Sequence, residues 1–280
     1  MIAAVEGVVA AIARAFPSAA VHVGLSDPST GLRLGLRDRE KVHAASTMKL
    51  PVLLEARRRV AEGELRLQQA VLLHNRFASL EGGHPYALDA AEDGDPELYL
   101  RLGGEAAVGE LLERMIVRSS NLATNLVLEL VPPPAVTRLC RALGASDLEV
   151  LRGVEDARAF RAGTNNLATA HDLVVLLEAL AERRIPGADE CVETLARQEQ
   201  NEGIPQGLPP GTRTAHKVGS IRGCYHDAAL VLPAGAPPYA LAVLTRGFPS
   251  EADAVAAVRA VSAATWAALR GAPSKASARG

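Results

Sequence analysis

His43-Ala44-Ala45-Ser46-Thr47-Met48-Lys49-Leu50-Pro51-Val52-Leu53-Leu54 changes character halfway, from the end of a strand to an apolar helical run. Ser46 therefore stands where a helix begins. Lys49 follows three residues later, nearly one helical turn, which brings its amine over the Ser46 hydroxyl. A helix amino end favours negative charge developing on that oxygen, and a lysine desolvated beside other cations can act as a base. Ser-x-x-Lys fixes only two positions, so the rest of the chain must supply its context.

The cations supply part of it. The chain has 26 arginines but only four lysines, Lys41, Lys49, Lys217 and Lys275. Arginine serves wherever a plain positive charge will do, whereas only lysine can lose its proton when buried. Two of the four lysines lie in motif-like settings. Lys217 belongs to His216-Lys217-Val218-Gly219-Ser220, on a strand bounded by glycine, where a missing side chain lets a ligand approach the backbone. Between them lies Met115-Ile116-Val117-Arg118-Ser119-Ser120-Asn121-Leu122-Ala123-Thr124-Asn125. Its Ser-Ser-Asn cluster sits where one amphipathic helix ends and another starts, a place that a helix cap alone would explain.

Periodicity places these segments in a fold. Residues 1–16 read as an amphipathic helix. Val21, Val23 and Leu25, then Leu32, Leu34 and Leu36, alternate with other residues around the turn Asp27-Pro28-Ser29-Thr30-Gly31, which predicts a hairpin. From Ser46 to about Arg183 the period is helical, with Val108, Leu111, Leu112, Met115 and Ile116 on one face. Thr169 and Asp172 look like a capping box opening a helix with Leu173, Leu176, Leu177 and Leu180 along its stripe. After the Pro- and Gly-rich stretch 204–211, strands are predicted over 212–217, 227–232 and 239–245, the last two flanking a Pro-rich loop at 233–238. A final amphipathic helix over 251–269 directs Val255, Val258 and Trp266 to a core. This order predicts an α+β fold. An antiparallel sheet is built from both chain ends, with residues 1–40 and 205–280 as one mixed lobe and 41–204 as an inserted, mainly helical lobe.

With 280 residues, 48% of them apolar, the chain can bury a substantial core. A net charge of -2 gives no support to nucleic-acid or anionic-membrane partners and leaves a small-molecule substrate as the expectation. Cys140, Cys191 and Cys224 are widely spaced, without CxxC pairs, and read as reduced core cysteines. Residues 1–16 lack a basic start, so no signal peptide is evident. No uninterrupted apolar run approaches the roughly 20 residues of a membrane span. The expected location is cytoplasmic, or periplasmic or secreted if a leader was removed. Residues 89–97 are read as an acidic surface loop without the ligand spacing of a calcium loop. Arg57, Arg58 and Arg59 are read as a solvated helix face.

Ser-x-x-Lys, Ser-x-Asn and Lys-x-Gly, in this order and in these settings, resemble the class A β-lactamases and penicillin-binding proteins over nearly the whole chain. The resemblance implies a five-stranded antiparallel sheet with flanking helices beside an all-helical lobe, and a cleft between them. It implies Ser46 as nucleophile, Lys49 as its proton partner, Ser119 as relay to the leaving nitrogen and Asn121 as holder of the substrate amide. Lys217 would lie near a substrate carboxylate, with Gly219 and Ser220 beside the substrate. The backbone N–H groups of Ser46 and Ser220 would form the oxyanion hole. No metal or organic cofactor is implied.

Three positions depart from the family's pattern. Ser120 replaces the usual Asp of Ser-Asp-Asn, and Val218 replaces a hydroxyl residue. In the acidic loop, Glu155 is followed four residues later by Ala159 instead of Asn, and Asp156 competes with Glu155 for activating water. Acylation is thus better supported than deacylation. Gly-x-Ser-x-Gly, HExxH and Walker A are absent. His226-Asp227 makes a poor triad because neighbours on a strand face opposite ways, and His171 reads as a surface or core histidine. The expected activity is β-lactam hydrolysis through an acyl-enzyme. An esterase or peptidase of the same fold, or a binder that traps acyl groups without turnover, are the alternatives.

Overall fold

The structure is a computed structural model that describes residues 2–270; Met1, Lys275 and the rest of the 271–280 end lie outside the described residues. In chain order, α1 (Ile2–Ala15) leads into the hairpin β1 (Ala20–Asp27) and β2 (Leu32–Leu36). A short β3 (Val42–His43) and a 3-10 turn (Ala45–Met48) precede α2 (Lys49–Ala61). Four short strands follow: β4 (Ala70–Leu72), β5 (Phe77–Ala78), β6 (Pro85–Tyr86) and β7 (Glu105–Ala107), with a 3-10 turn at Pro96–Arg101. Next come α3 (Val108–Val117), α4 (Asn121–Leu130), α5 (Pro133–Leu143), α6 (Ala157–Arg161), β8 (Leu167–Ala168), α7 (Ala170–Ala181) and α8 (Ala188–Leu195). A 3-10 turn at Pro205–Gly207 leads to β9 (Arg213–Ile221), β10 (Cys224–Leu232), β11 (Tyr239–Arg246) and α9 (Glu251–Arg270).

The sheet runs β2-β1-β11-β10-β9, antiparallel throughout, so both chain ends meet at its centre where Val23 pairs with Val243. Strand alternation sends Val21, Val23, Leu25, Leu241 and Val243 to one face, covered by α1 and α9. Ala228, Leu230, Ala240, Ala242 and Leu244 face the other way, against α7. Here the polar residues of β1 are covered as well: His22 and Ser26 are buried, and Ser26 Oγ donates to Glu178 of α7. Gly24 makes this approach possible, since a Cβ there would lie 2.7 Å from the Ala170 carbonyl oxygen. The larger hydrophobic cluster consequently joins α7 and the other helices to the sheet, across the sequence boundaries expected from periodicity.

Four sequence expectations need adjustment. The region from 46 to 183 is not continuously helical, because residues 70–107 and 144–169 hold short ladders and loops. Strands β9 and β10 are longer than read, each running into the Arg222–Gly223 turn. The arginine cluster is not a free solvated face: the buried Glu55 accepts from Arg58 and Arg59, and Arg57 donates to Thr194 Oγ1. The 89–97 loop is only partly a surface loop, since Asp93 and Asp95 are buried. The core side of α9 is as expected: Val258 is fully buried, and Val255 and Trp266 pack, partly buried, against the same cluster beside Ala254, Ala257 and Val261.

Other local expectations hold. Val108, Leu111, Leu112, Met115 and Ile116 share the buried face of α3. Thr169 Oγ1 accepts the Asp172 N–H, the first half of a capping box, while the Asp172 carboxylate turns to the N–H groups of Asp147 and Leu148. Cys140 and Cys191 are free and buried, with burial pushing their thiols up to about 12; Cys224 is free too but only half-buried, at the start of β10 and outside the core expected for it. By length and composition α9 is long and apolar enough to cross a bilayer, but its apolar side packs on the sheet and α1.

Candidate active site

Four segments converge where β9 passes the 3-10 turn at the head of α2. That turn is fixed from outside. Ala44 N–H donates to the Asn166 carbonyl, Ala45 N–H to His43 Nδ1, and Ala45 adopts a positive φ of 46°. The turn leaves Ser46 partly exposed and drives Lys49 into the interior, where it is fully buried. Ser46 lies in this 3-10 turn, one step before the regular helix expected there. Its hydroxyl makes no hydrogen bond among the described residues.

Lys49 Nζ instead donates to the Ser119 carbonyl (2.6 Å), Asn121 Oδ1 (2.7 Å) and Ser119 Oγ (3.3 Å). Burial pulls its pKa down to about 7, against the opposing pull of the Asp93 and Glu155 charges. Lys217, on the same face of β9 as Ala215 and Gly219, is also fully buried and donates to Ser119 Oγ (3.0 Å) and the Val218 carbonyl (3.1 Å). Burial, reinforced by the charge of Lys49, holds its pKa well below the ordinary lysine range. Ser119 thus sits between two desolvated amines, at the α3–α4 junction, with φ at 60°.

The junction separates two roles that the sequence left open. Ser120 is the cap, its Oγ accepting the Ala123 N–H, while Ser119 and Asn121 on either side turn toward the lysines. The Asn121 amide offers its oxygen to Lys49 and its nitrogen to Glu155 Oε1 (2.8 Å), the one orientation that matches donor to acceptor at both ends. Glu155 rides on a loop with φ at 61°, and its second oxygen accepts the Asp89 N–H.

Asp156, the other carboxylate put forward from the sequence, points elsewhere. Its oxygens accept from Ser79 Oγ (2.7 Å), Leu80 N–H (2.9 Å) and Ala159 N–H (3.1 Å), capping α6 and tying the loop to the segment before β6. Burial pushes its carboxyl up, but these donors and Arg152 outweigh it and hold the group below its usual range. Ala159, where the family pattern has Asn, is buried in α6 and offers no side-chain polar group.

Gly219 lies against the Ser46 turn, and Ser220, next on β9, is exposed. Val218 faces the other core, with Val21 and Tyr225. His226 and Asp227 do face opposite ways: His226 meets the His43 carbonyl and Thr245 N–H, while Asp227 pairs with His216 on the far face.

Two contributors were passed over in the sequence. Asn125, one turn after Asn121 on α4, accepts the Val154 N–H (2.7 Å) and donates to the Val154 carbonyl (3.1 Å), clamping the residue before Glu155. Its spacing from Asn121 put both amides on one helix face, a signal that was available. Asp93 binds the amino end of α4 from a distant loop, and no local pattern announces that.

Comparison with known proteins agrees with this arrangement. The family model described as "Beta-lactamase enzyme family" matches residues 4–269. A β-lactamase of Streptomyces fradiae is 31% identical over 156 residues, covering 52% of this chain and 50% of that protein. One of Streptomyces lavendulae is 32% identical over 155 residues, covering 50% and 49%. The chain spans about half the length of these curated relatives. Among solved structures, a β-lactamase from Sphaerobacter thermophilus superposes with a TM-score of 0.81 at 26% identity, over 94% of this chain and 97% of that one. PBP-A shares the fold at 21% identity, with a TM-score of 0.80 over 95% of each chain. A serine at the head of a buried helix, two desolvated lysines around a second serine, and a family match over almost every described residue lead to one assignment: the chain belongs to the β-lactamase enzyme family.

Proposed function

We propose that this chain is a serine hydrolase that opens β-lactam amides through an acyl-enzyme on Ser46. The observation that carries the reading is the shared contact of Lys49 and Lys217 with Ser119 Oγ, both amines fully buried. An ammonium has three donors and no lone pair; a lysine held near pKa 7 spends part of its time as free amine at neutral pH. With its two shortest bonds kept to the Ser119 carbonyl and Asn121, neutral Lys49 has a lone pair to receive the Ser46 proton. Attack on the lactam carbonyl then forms the Ser46 Oγ–C bond. The carbonyl oxygen gathers charge beside the Ser46 and Ser220 N–H groups. Collapse breaks the C–N bond, and the ring nitrogen takes a proton through Ser119, which the two amines resupply.

Release of the acyl group requires a water. Glu155, held against Asn121, is the carboxylate assigned to take its proton, and Asp156 is assigned to brace the loop. With Ala159 offering the water no side-chain partner, deacylation is the slower step.

Intact-protein mass spectrometry after mixing with benzylpenicillin, and separately with a small activated ester, tests the proposal. A transient adduct on Ser46 followed by hydrolysed penicillin supports it. A permanent penicillin adduct replaces it with an acyl trap, turnover of the ester alone with an esterase, and no adduct with either reagent removes the nucleophile assignment.

A further inference from the structure

The acid missing from the Ser-x-Asn segment has a counterpart elsewhere in the chain. The buried Asp93 carboxylate accepts from the Asn121 N–H at 2.9 and 3.0 Å and from the Leu122 N–H at 2.8 Å. Asp95 N–H (2.9 Å) and the Tyr99 hydroxyl (2.8 Å) hold it from its own side. Ser120, the cap residue of α4, reaches only the Ala123 N–H. Two of the first three amides of α4 are therefore satisfied by a side chain from a loop 28 or 29 residues earlier. A carboxylate at a helix amino end is stabilised by those amides and fixes them in return.

The residue so fixed is Asn121, whose side chain spans Lys49 and Glu155. The charges around this centre are few. Lys49 is faced by Asp93, Glu155 and Lys217. Asp95, beside Asp93, is ion-paired with Arg114 and Arg118, whereas among the described residues no cationic side chain is salt-bridged to Asp93. The field of Asp93 is left to act on Lys49.

We infer that Asp93 is a positioning residue of the active site, supplying from the 89–97 loop the acid that Ser120 does not provide, so that it sets both the placement of Asn121 and the charge balance at Lys49. For its effect on acylation this rests on the function proposed above; for its effect on Lys49 it does not. Removing the Asp93 charge disfavours the ammonium and moves the Lys49 titration to lower pH. Acylation slows because Asn121 is less firmly held.

The test uses the full chain with 13C-labelled lysine. Four lysines make the spectrum assignable by single replacements. In Asp93→Asn the Lys49 midpoint should fall by at least about half a pH unit, and acylation by benzylpenicillin should slow about tenfold or more. Tyr99→Phe keeps the charge and should leave the midpoint in place. Asp93→Ser, which retains one small acceptor and leaves room for water, is read in the same way in case the amide disrupts folding. A Lys49 midpoint unchanged in either folded variant overturns the inference. If the parent protein is not acylated at all, the proposed function fails while the Lys49 titration still decides the role of Asp93.

Discussion

A Cβ placed on Gly219 would lie 2.8 Å from the Ser46 backbone nitrogen and 2.9 Å from that of Thr47, closer than real Cβ atoms come. Strand β9 and the Ser46 turn therefore touch through backbone, and only glycine permits it. Gly219→Ala must push the strand and the turn apart, separating the N–H groups of Ser46 and Ser220. Loss of one oxyanion donor costs about a hundred- to a thousandfold in rate. A fall of that order in kcat/KM for penicillin, with Tm lowered by only a few degrees, is the expected outcome. Full activity in Gly219→Ala would separate the oxyanion role from this contact.

Lys49 leads to a pH prediction. A group pulled down to about 7 by burial is mostly ammonium below that pH and mostly free amine above it. The acylation rate should accordingly rise with pH through about 7 and level off above it. Lys49→Arg, permanently protonated, should lose acylation at every pH, by about a hundredfold or more. Stopped-flow acylation across pH 5 to 9 measures both. Retained acylation in Lys49→Arg would mean that another base receives the Ser46 proton.

Glu155 and Asp156 are neighbours with different partners, and their amide variants should differ in kind. On the function proposed above, Glu155→Gln removes the base for water while keeping the contact with Asn121, so the penicillin adduct should persist for much longer than in the parent. Asp156→Asn disturbs three hydrogen bonds that tie the loop down. It should lower stability by about 1–3 kcal/mol, with a smaller effect on adduct lifetime. Mass spectra over time, together with thermal melts, distinguish the two. Persistence only in Asp156→Asn would reverse the roles.

His226 ties stability to pH. Its Nδ1 accepts the Thr245 N–H, so the proton resides on Nε2, which donates to the His43 carbonyl. Burial lowers its pKa from 6.5 to about 4. The unfolded state therefore binds the extra proton first. The stability held above pH 6.5 declines as pH falls and is lost through pH 4, in total about 3 kcal/mol. Burial also lowers His22 and His43, which act in the same direction. Urea titrations at pH 7, 5 and 4 should show this decline, and His226→Gln should flatten part of it; an unchanged slope in that variant would assign the decline to the other two.

Much of the fold was legible from single residues. The alternation of Val21, Val23 and Leu25 marked a sheet strand because its period of two matches one buried face, and the stripe from Val108 to Ile116 marked α3 for the corresponding helical reason. The short ladders from β4 to β7 were not legible, because two- and three-residue strands carry too few positions to show a period. The arginines misled because the buried acceptor of Arg58 and Arg59, Glu55, looks in sequence like any other surface acid, and the Thr194 hydroxyl that Arg57 meets lies 137 residues away.

The candidate site divides along the same physical line. Ser46 and Lys49 are one turn apart, and Ser119 and Asn121 flank one helix cap, so local spacing by itself determined that each pair would share a neighbourhood. Which side chains meet at the candidate site was decided only by tertiary structure. Lys217 reaches Ser119 from 98 residues away, Glu155 reaches Asn121 across 34, and Asp93 takes the α4 amides across 28. The burial that lowers both lysines likewise depends on what the sheet and the helices exclude together. Sequence spacing specifies hydrogen bonds and faces within a turn or a strand, whereas desolvation and long-range charge pairing exist only once the packed elements have displaced water.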